Sequence, residues 1–349
     1  MSEFDYVNAR LHSRKSRLLP ATWFEQATGC RSVERLMNLL LETGYRTFLQ
    51  SALLRARGLD AIHEAVREAV GQEVRCIRGW FEPGGRAALL ASVALREFDR
   101  HNLKTILRGV ANHVPAGEIL PQTLPGGELG PEEISQLAAA SDLAAVIDLV
   151  VTWRLDWARP LLEARARPGS PPADLDDLET ALERWHVATG LEAARTAGRA
   201  GAALVEALLR RADITNLLTA LRARDEVEWR AHAIGPGRLA WDLFGPIVGG
   251  GLAAAVGSLA GTYLGNALRQ VTAEAGLSAP LSRVERTLAR TDLAASAGAL
   301  MSDPLGIGVL LGYLALRRNE ATNLRLLAMG LAFGDSAQEM RAEMIGVGA

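Results

Sequence analysis

The sequence predicts an all-α protein built from three homologous helical domains in tandem. One motif carries most of that expectation: an acid, two further residues, then Asn-Leu. It stands as Asp99, Asn102 and Leu103, again as Asp213, Asn216 and Leu217, and again as Glu320, Asn323 and Leu324. The asparagines lie 114 and 107 residues apart in a chain of 349, a period too long for a solenoid unit and the right size for a small domain. A second observation is an equal interval: Leu129 to Trp153 and Leu239 to Tyr263 both span 24 residues, which fixes the register of the copies. A third is apolar periodicity at i, i+3, i+4 and i+7 between clusters of turn formers. The expected domains are residues 1–113, 114–232 and 233–349.

Composition supports a chain that folds without staples. It is 49% hydrophobic and 22% charged, an ordinary globular balance. The net charge of −2 gives no global positive field, so nucleic acid is not an expected partner. Two cysteines, Cys30 and Cys76, are too few for a disulfide framework and fit a reducing compartment. The opening Met1-Ser2-Glu3-Phe4-Asp5 has no apolar core of a secretory signal, so the expected location is the cytoplasm.

In the first copy, Tyr6 to Leu11 opens a helix carrying Arg10, Arg14, Lys15 and Arg17 before Leu18-Leu19-Pro20 closes it. Those cations read either as a solvated helix face or as a contact for acidic headgroups or an acidic partner. Leu36 to Leu41 forms a second helix, ended near Gly44. Another starts near Gly58 and repeats Ile62, Val66 and Val70. The motif helix follows, with Leu103, Ile106, Leu107 and Val110 on one stripe. Asn102 sits at the margin of that stripe, where an unpaired carboxamide costs about 1–3 kcal/mol, so it is expected to tie down a neighbouring backbone end. The acid three residues earlier shares that side of the helix. Arg108 and Arg222 close the longer form of the motif, Leu107-Arg108 and Leu221-Arg222.

In the second copy, His113 to Leu129 reads as a loop dense in turn formers, matched later by Gly235-Pro236-Gly237-Arg238-Leu239. Thr152-Trp153 and Thr262-Tyr263 then align with Thr43-Gly44-Tyr45, an aromatic position read as a core plug. Pro168 to Pro172 is a turn, and Asp174, Asp176, Asp177 and Glu179 follow it. Their spacing does not fit a magnesium-diphosphate site, and carboxylates in a first helical turn answer the macrodipole.

In the third copy, Leu243 to Leu268 runs 26 residues without a charge, a length that spans a bilayer. Gly257, Gly261 and Gly265 have the spacing of paired membrane helices. Pro246 and Gly249-Gly250-Gly251 break the first third, which leaves an expected soluble helix of about 17 residues from Leu252 whose glycine face admits another backbone. Asp335-Ser336 reads as the N-cap of a short last helix.

The residues of common enzymes are missing. Six histidines show no His pair at i, i+4 beside a glutamate for zinc, no phosphate-cradling lysine loop follows a glycine run, and there is no Gly-x-Ser-x-Gly elbow. No catalytic, metal or cofactor residue is expected, and no small-molecule substrate.

Tyr6-Val7-Asn8-Ala9-Arg10 with Ser16-Arg17-Leu18-Leu19, Asn102 through Arg108, Pro125-Gly126-Gly127-Glu128-Leu129, and Asp213 through Leu217 together resemble the C-type subunits of V/A-type ATPases, whose eukaryotic V-ATPase counterpart is the d-type. The resemblance covers nearly the whole chain. It implies three helical domains forming a funnel around a pseudo-threefold axis, a non-catalytic part at the cytoplasmic face of the membrane. The funnel would sit on the proteolipid ring and receive the central shaft of D- and F-type subunits. The third motif departs from the pattern, with Ala328-Met329 where Leu-Arg stands in the other two. Under this resemblance the face of Gly257, Gly261 and Gly265 packs tightly, inside its domain or against the shaft. Two other classes stay open: a helical scaffold outside any rotary machine, and an integral membrane protein using the 243–268 run.

Overall fold

The computed structural model describes residues 3–165 and 174–346, and every regular element among them is helical. In chain order the α-helices are α1 (Asp5–Lys15), α2 (Ala21–Thr28), α3 (Val33–Leu40), α4 (Arg46–Ala52), α5 (Gly58–Arg78), α6 (Arg86–Ala111), α7 (Ala116–Ile119), α8 (Pro131–Ala138) and α9 (Leu143–Thr152). They continue with α10 (Ala158–Arg165), α11 (Leu175–Thr196), α12 (Ala202–Arg222), α13 (Glu226–His232), α14 (Gly251–Ser258), α15 (Tyr263–Ala275), α16 (Leu281–Ser302), α17 (Gly308–Phe333) and α18 (Ala337–Glu343). The chain divides into two compact units, Met1–Val146 with Ala297–Ala349, and Ile147–Ser296. The borders fall inside α9 and α16.

The first unit is built on its three longest helices. On α5, Ile62, Val66, Val70, Val74 and Ile77 recur at three- and four-residue spacing and are fully buried, and α17 packs along this helix. Leu103, Ile106, Leu107 and Val110 of α6 are at most 4% exposed, the stripe that their periodicity requires. Short helices carry their own stop and start signals. Ser32 caps α3 by accepting from the Arg35 N–H. Ser336 and Glu339 form a reciprocal capping box at α18. The stretch read as a loop after α6 holds α7 and a 3-10 turn, Leu120–Gln122. Gly109 explains how α7 lies so close to α6: a Cβ there would meet Ile119 Cδ1 at 2.5 Å.

The second unit has an aromatic centre. Trp229, 1% exposed, lies between Trp241 and Phe244 at centroid distances of 5.0 and 6.0 Å. Leu217, Leu259, Leu264, Leu268 and Val271 pack into the same core. Asp174 caps α11 by accepting from the Asp177 N–H at 2.9 Å, with Asp176 and Asp177 in the first turn, as a macrodipole favours. The turn expected at Pro168–Pro172 lies outside the described residues.

The uncharged run 243–268 is not one helix, which corrects both the 17-residue helix and the membrane-spanning reading. It holds a 3-10 turn at Gly245–Ile247, then α14, then a break before α15. Gly261 makes the break, with φ +79°, and Thr262 restarts the helix by accepting from the Gly265 N–H at 3.0 Å. Among the described residues no helix is long and apolar enough to cross a membrane. The glycine stripe is lost with the helix. Gly257 faces open space, Gly261 lies in the turn, and only Gly265 is close-packed, where a Cβ would meet the Leu259 carbonyl at 2.0 Å.

Candidate functional site

The three copies of the motif build three similar latches. On α6, the Asn102 carboxamide donates to the Leu124 carbonyl at 3.0 Å and accepts from the Leu124 N–H at 2.8 Å. One turn earlier, Asp99 accepts from the N–H groups of Glu128 and Leu129 at 2.7 and 3.0 Å. On α12, Asn216 accepts from Ile234 N–H at 2.9 Å and donates to the Gly235 carbonyl at 2.8 Å. Asp213 accepts from Arg238 and Leu239 N–H, both at 3.1 Å, and from the Tyr263 hydroxyl at 3.0 Å. On α17, Asn323 exchanges the same pair of bonds with Ile345, at 2.8 and 3.2 Å. Its acid, however, reaches the other end of the chain: Glu320 accepts from Leu19 N–H at 2.6 Å and from the Tyr45 hydroxyl at 2.8 Å.

The acid of each latch thus holds the leucine just ahead of a helix or helical turn, Leu129 before α8, Leu239 before the 3-10 turn Trp241–Leu243, and Leu19 before α2. Two glycines let the loops approach. A Cβ on Gly127 would lie 2.0 Å from the Asp99 carboxyl group, and one on Gly237 would lie 1.9 Å from Asp213 Oδ1. Close approach has an electrostatic consequence. Burial pushes the Asp99 carboxyl up to about 7 against the pull of its two backbone donors. Burial likewise raises Asp213 and Glu320, in the last case against the neighbouring Arg317.

The third latch opens onto a cleft of about 280 Å³ in the first unit. Arg317, 7% exposed at its side chain, bonds Glu320 and the Tyr45 hydroxyl with one nitrogen and Glu73 with Nε at 2.6 Å. Glu73 also accepts from Arg14 at 2.9 Å and from the Tyr313 hydroxyl. Burial works to raise the Glu73 carboxyl, but Arg317, Tyr313 and Arg14 together hold it below the usual carboxylate range. One ionic network joins α1, α5 and α17 to Tyr45, the residue before α4.

The motif leucines Leu103, Leu217 and Leu324 are fully buried behind the latches. Arg108 lies on the exposed side of α6, and Arg222 pairs with Glu285. The α1 cations separate: Arg14 enters the network, Arg10 stacks over the rings of Trp80 and Tyr6, Lys15 is exposed, and so is Arg17 just past the helix. Sequence reasoning does not single out Glu73, Tyr313 or Arg317, nor Leu19 as the partner of Glu320. Two signals point to them: Arg317 stands one helical turn before Glu320, and Leu19-Pro20 opens α2 much as Leu129-Gly130-Pro131 opens α8. Tyr45 and Tyr263 do more than plug the core, since each hydroxyl serves a motif acid.

The arrangement holds helix side chains to loop backbone. The C-type subunit of the V-type ATP synthase of Thermus thermophilus is 29% identical over 351 residues, covering 98% of each chain. Its counterpart in the V-type ATP synthase of Deinococcus radiodurans is 27% identical over 345 residues, 98% of this chain and 91% of the relative. The counterpart in the A-type ATP synthase of Halobacterium salinarum is 25% identical over 353 residues, 99% of this chain and 98% of the relative. The family described as ATP synthase (C/AC39) subunit matches residues 7–343, a span that takes in all three latch helices, and the chain belongs to that family.

Proposed function

We propose that this chain is the non-catalytic socket of a V/A-type rotary ATPase. It sits as a peripheral subunit on the proteolipid ring at the cytoplasmic face of the membrane and receives the central shaft of D- and F-type subunits. In this reading the three repeats, residues 1–113, 114–232 and 233–349, surround a hollow in quasi-threefold order. The observation that carries it is the third latch: Glu320 reaches 301 residues back to Leu19, so the last copy holds the first as the first holds the second.

The task of such a part is to pass torque without slipping. Buried, paired polar groups and close packing favour one geometry over its neighbours, and a packed interior has low compressibility. Recognition of ring and shaft would rest on broad complementary surfaces. Purification of the tagged chain in mild detergent tests the proposal. Recovery together with proteolipid and nucleotide-binding subunits is the expected result; recovery alone from the native membrane would support a free-standing scaffold instead.

A further inference from the structure

We infer that the first unit binds a small inorganic anion, of the size of chloride, between His63, Arg67 and Arg325. His63 and Arg67 stand four residues apart on α5 and so share one side of that helix. Arg325 comes from α17, which packs along α5. The two guanidiniums close on a single residue: Arg67 Nε donates to Thr123 Oγ1 at 3.2 Å, and Arg325 Nη2 donates to the Thr123 carbonyl at 2.8 Å. Arg325 Nη1 reaches the neighbouring Gln122 carbonyl at 3.3 Å.

Those bonds leave donors over. Arg67 Nη2, Arg325 Nε and His63 Nε2 are closed to solvent and have no hydrogen-bond partner. His63 is 5% exposed and Arg325 8%. No carboxylate pairs with either guanidinium among the described residues; Glu64 and Asp60 act on Arg67 and His63 only through their fields. The electrostatics register burial and the like charges. Burial, then Arg67, lowers Arg325 to about 10, and burial, then Arg325, lowers His63 to about 4. Arg325 is a buried charge beside a half-buried like charge, with no carboxylate in contact, and a buried charge is ordinarily paired. A water molecule would satisfy the spare donors but not the charge. A spherical anion does both, because it accepts from donors of any direction: the two guanidiniums, and the N–H of His63 in its Nε2-protonated tautomer.

Such an ion would tie the first latch to the third, since Thr123 precedes Leu124 and Arg325 follows Asn323 by two residues. The test is the melting temperature of the full chain in sodium chloride against sodium gluconate at equal ionic strength. An anion held only by the folded state raises it, so chloride should add several degrees. Arg67→Gln, at a half-buried position, should remove the difference and keep the fold; Arg325→Gln also loses two loop carbonyl bonds and is the harsher variant. Crystals soaked in sodium bromide should show an anomalous peak among the three side chains. Equal melting in chloride and gluconate, a response to phosphate but not chloride, or water-like density without an anomalous signal would each overturn the assignment.

Discussion

An asparagine carboxamide presents one donor and one acceptor side by side, the pair that a peptide unit also offers. That is why Asn102 and Asn323 each satisfy both backbone groups of one residue, Leu124 and Ile345. Asn102→Ala orphans a buried N–H and a buried carbonyl, at about 1–3 kcal/mol each, and urea unfolding should show a loss of at least that size; a change within the error of measurement would remove the latch from the account. The acid beside it predicts a pH dependence. Asp99 has its folded value raised from the ordinary 3.8 to about 7, so its contribution to stability is full below 3.8 and is lost as pH rises through about 7. Asp99→Asn lacks this titration, and its own deficit relative to the parent should shrink between pH 5 and pH 8. A deficit that grows with pH would contradict the assigned burial.

At the scale of the element, glycines separate the loops that must come close from those that need not. Gly127→Ala drives a methyl group into the Asp99 carboxyl and should cost about 1–3 kcal/mol in unfolding free energy, whereas Gly117→Ala, with open space around it, should be close to neutral. The same contrast divides the glycines at four-residue spacing: Gly265→Ala should destabilise, and Gly257→Ala, with open space around it in α14, should gain up to about 1 kcal/mol of helix propensity. Equal effects at Gly265 and Gly257 would mean that the break in this region is misplaced. Much of the element level is legible in the sequence, because α5, α6 and α17 bury the residues that a 3.6-residue period selects. The run 243–268 is not, because composition reports the absence of charge but not the sign of φ at Gly261. The cleft escapes the sequence for a different reason. Glu73 and Arg317 are 244 residues apart, and a spacing rule that sees i, i+3 and i, i+4 partners cannot see that pair.

On the scale of the whole molecule, the start of the chain is held by the same kind of contact as its interior. Helix α1 is attached through Arg14 to Glu73, and the segment after it through Leu19 N–H to Glu320. Both contacts share Arg317, which bonds Glu73 and Glu320, and the second also shares the Tyr45 hydroxyl, which donates to Glu320 while accepting from Arg317. Tyr45→Phe keeps the ring in the core but takes away that hydroxyl. Glu320 and Arg317 each lose a partner in a buried place, so a loss of about 1–3 kcal/mol should follow. Its location matters more than its size. Hydrogen exchange should quicken at Leu19 and the first turn of α2, while the first latch, at Leu124 and Leu129, keeps its protection. Uniform loss of protection at all three loops would mean that the variant weakens the fold in general and that Glu320 has no special hold on the N-terminal segment. Faster exchange confined to Leu19 and the start of α2 would identify this contact as the joint through which the last motif helix holds the first residues of the chain.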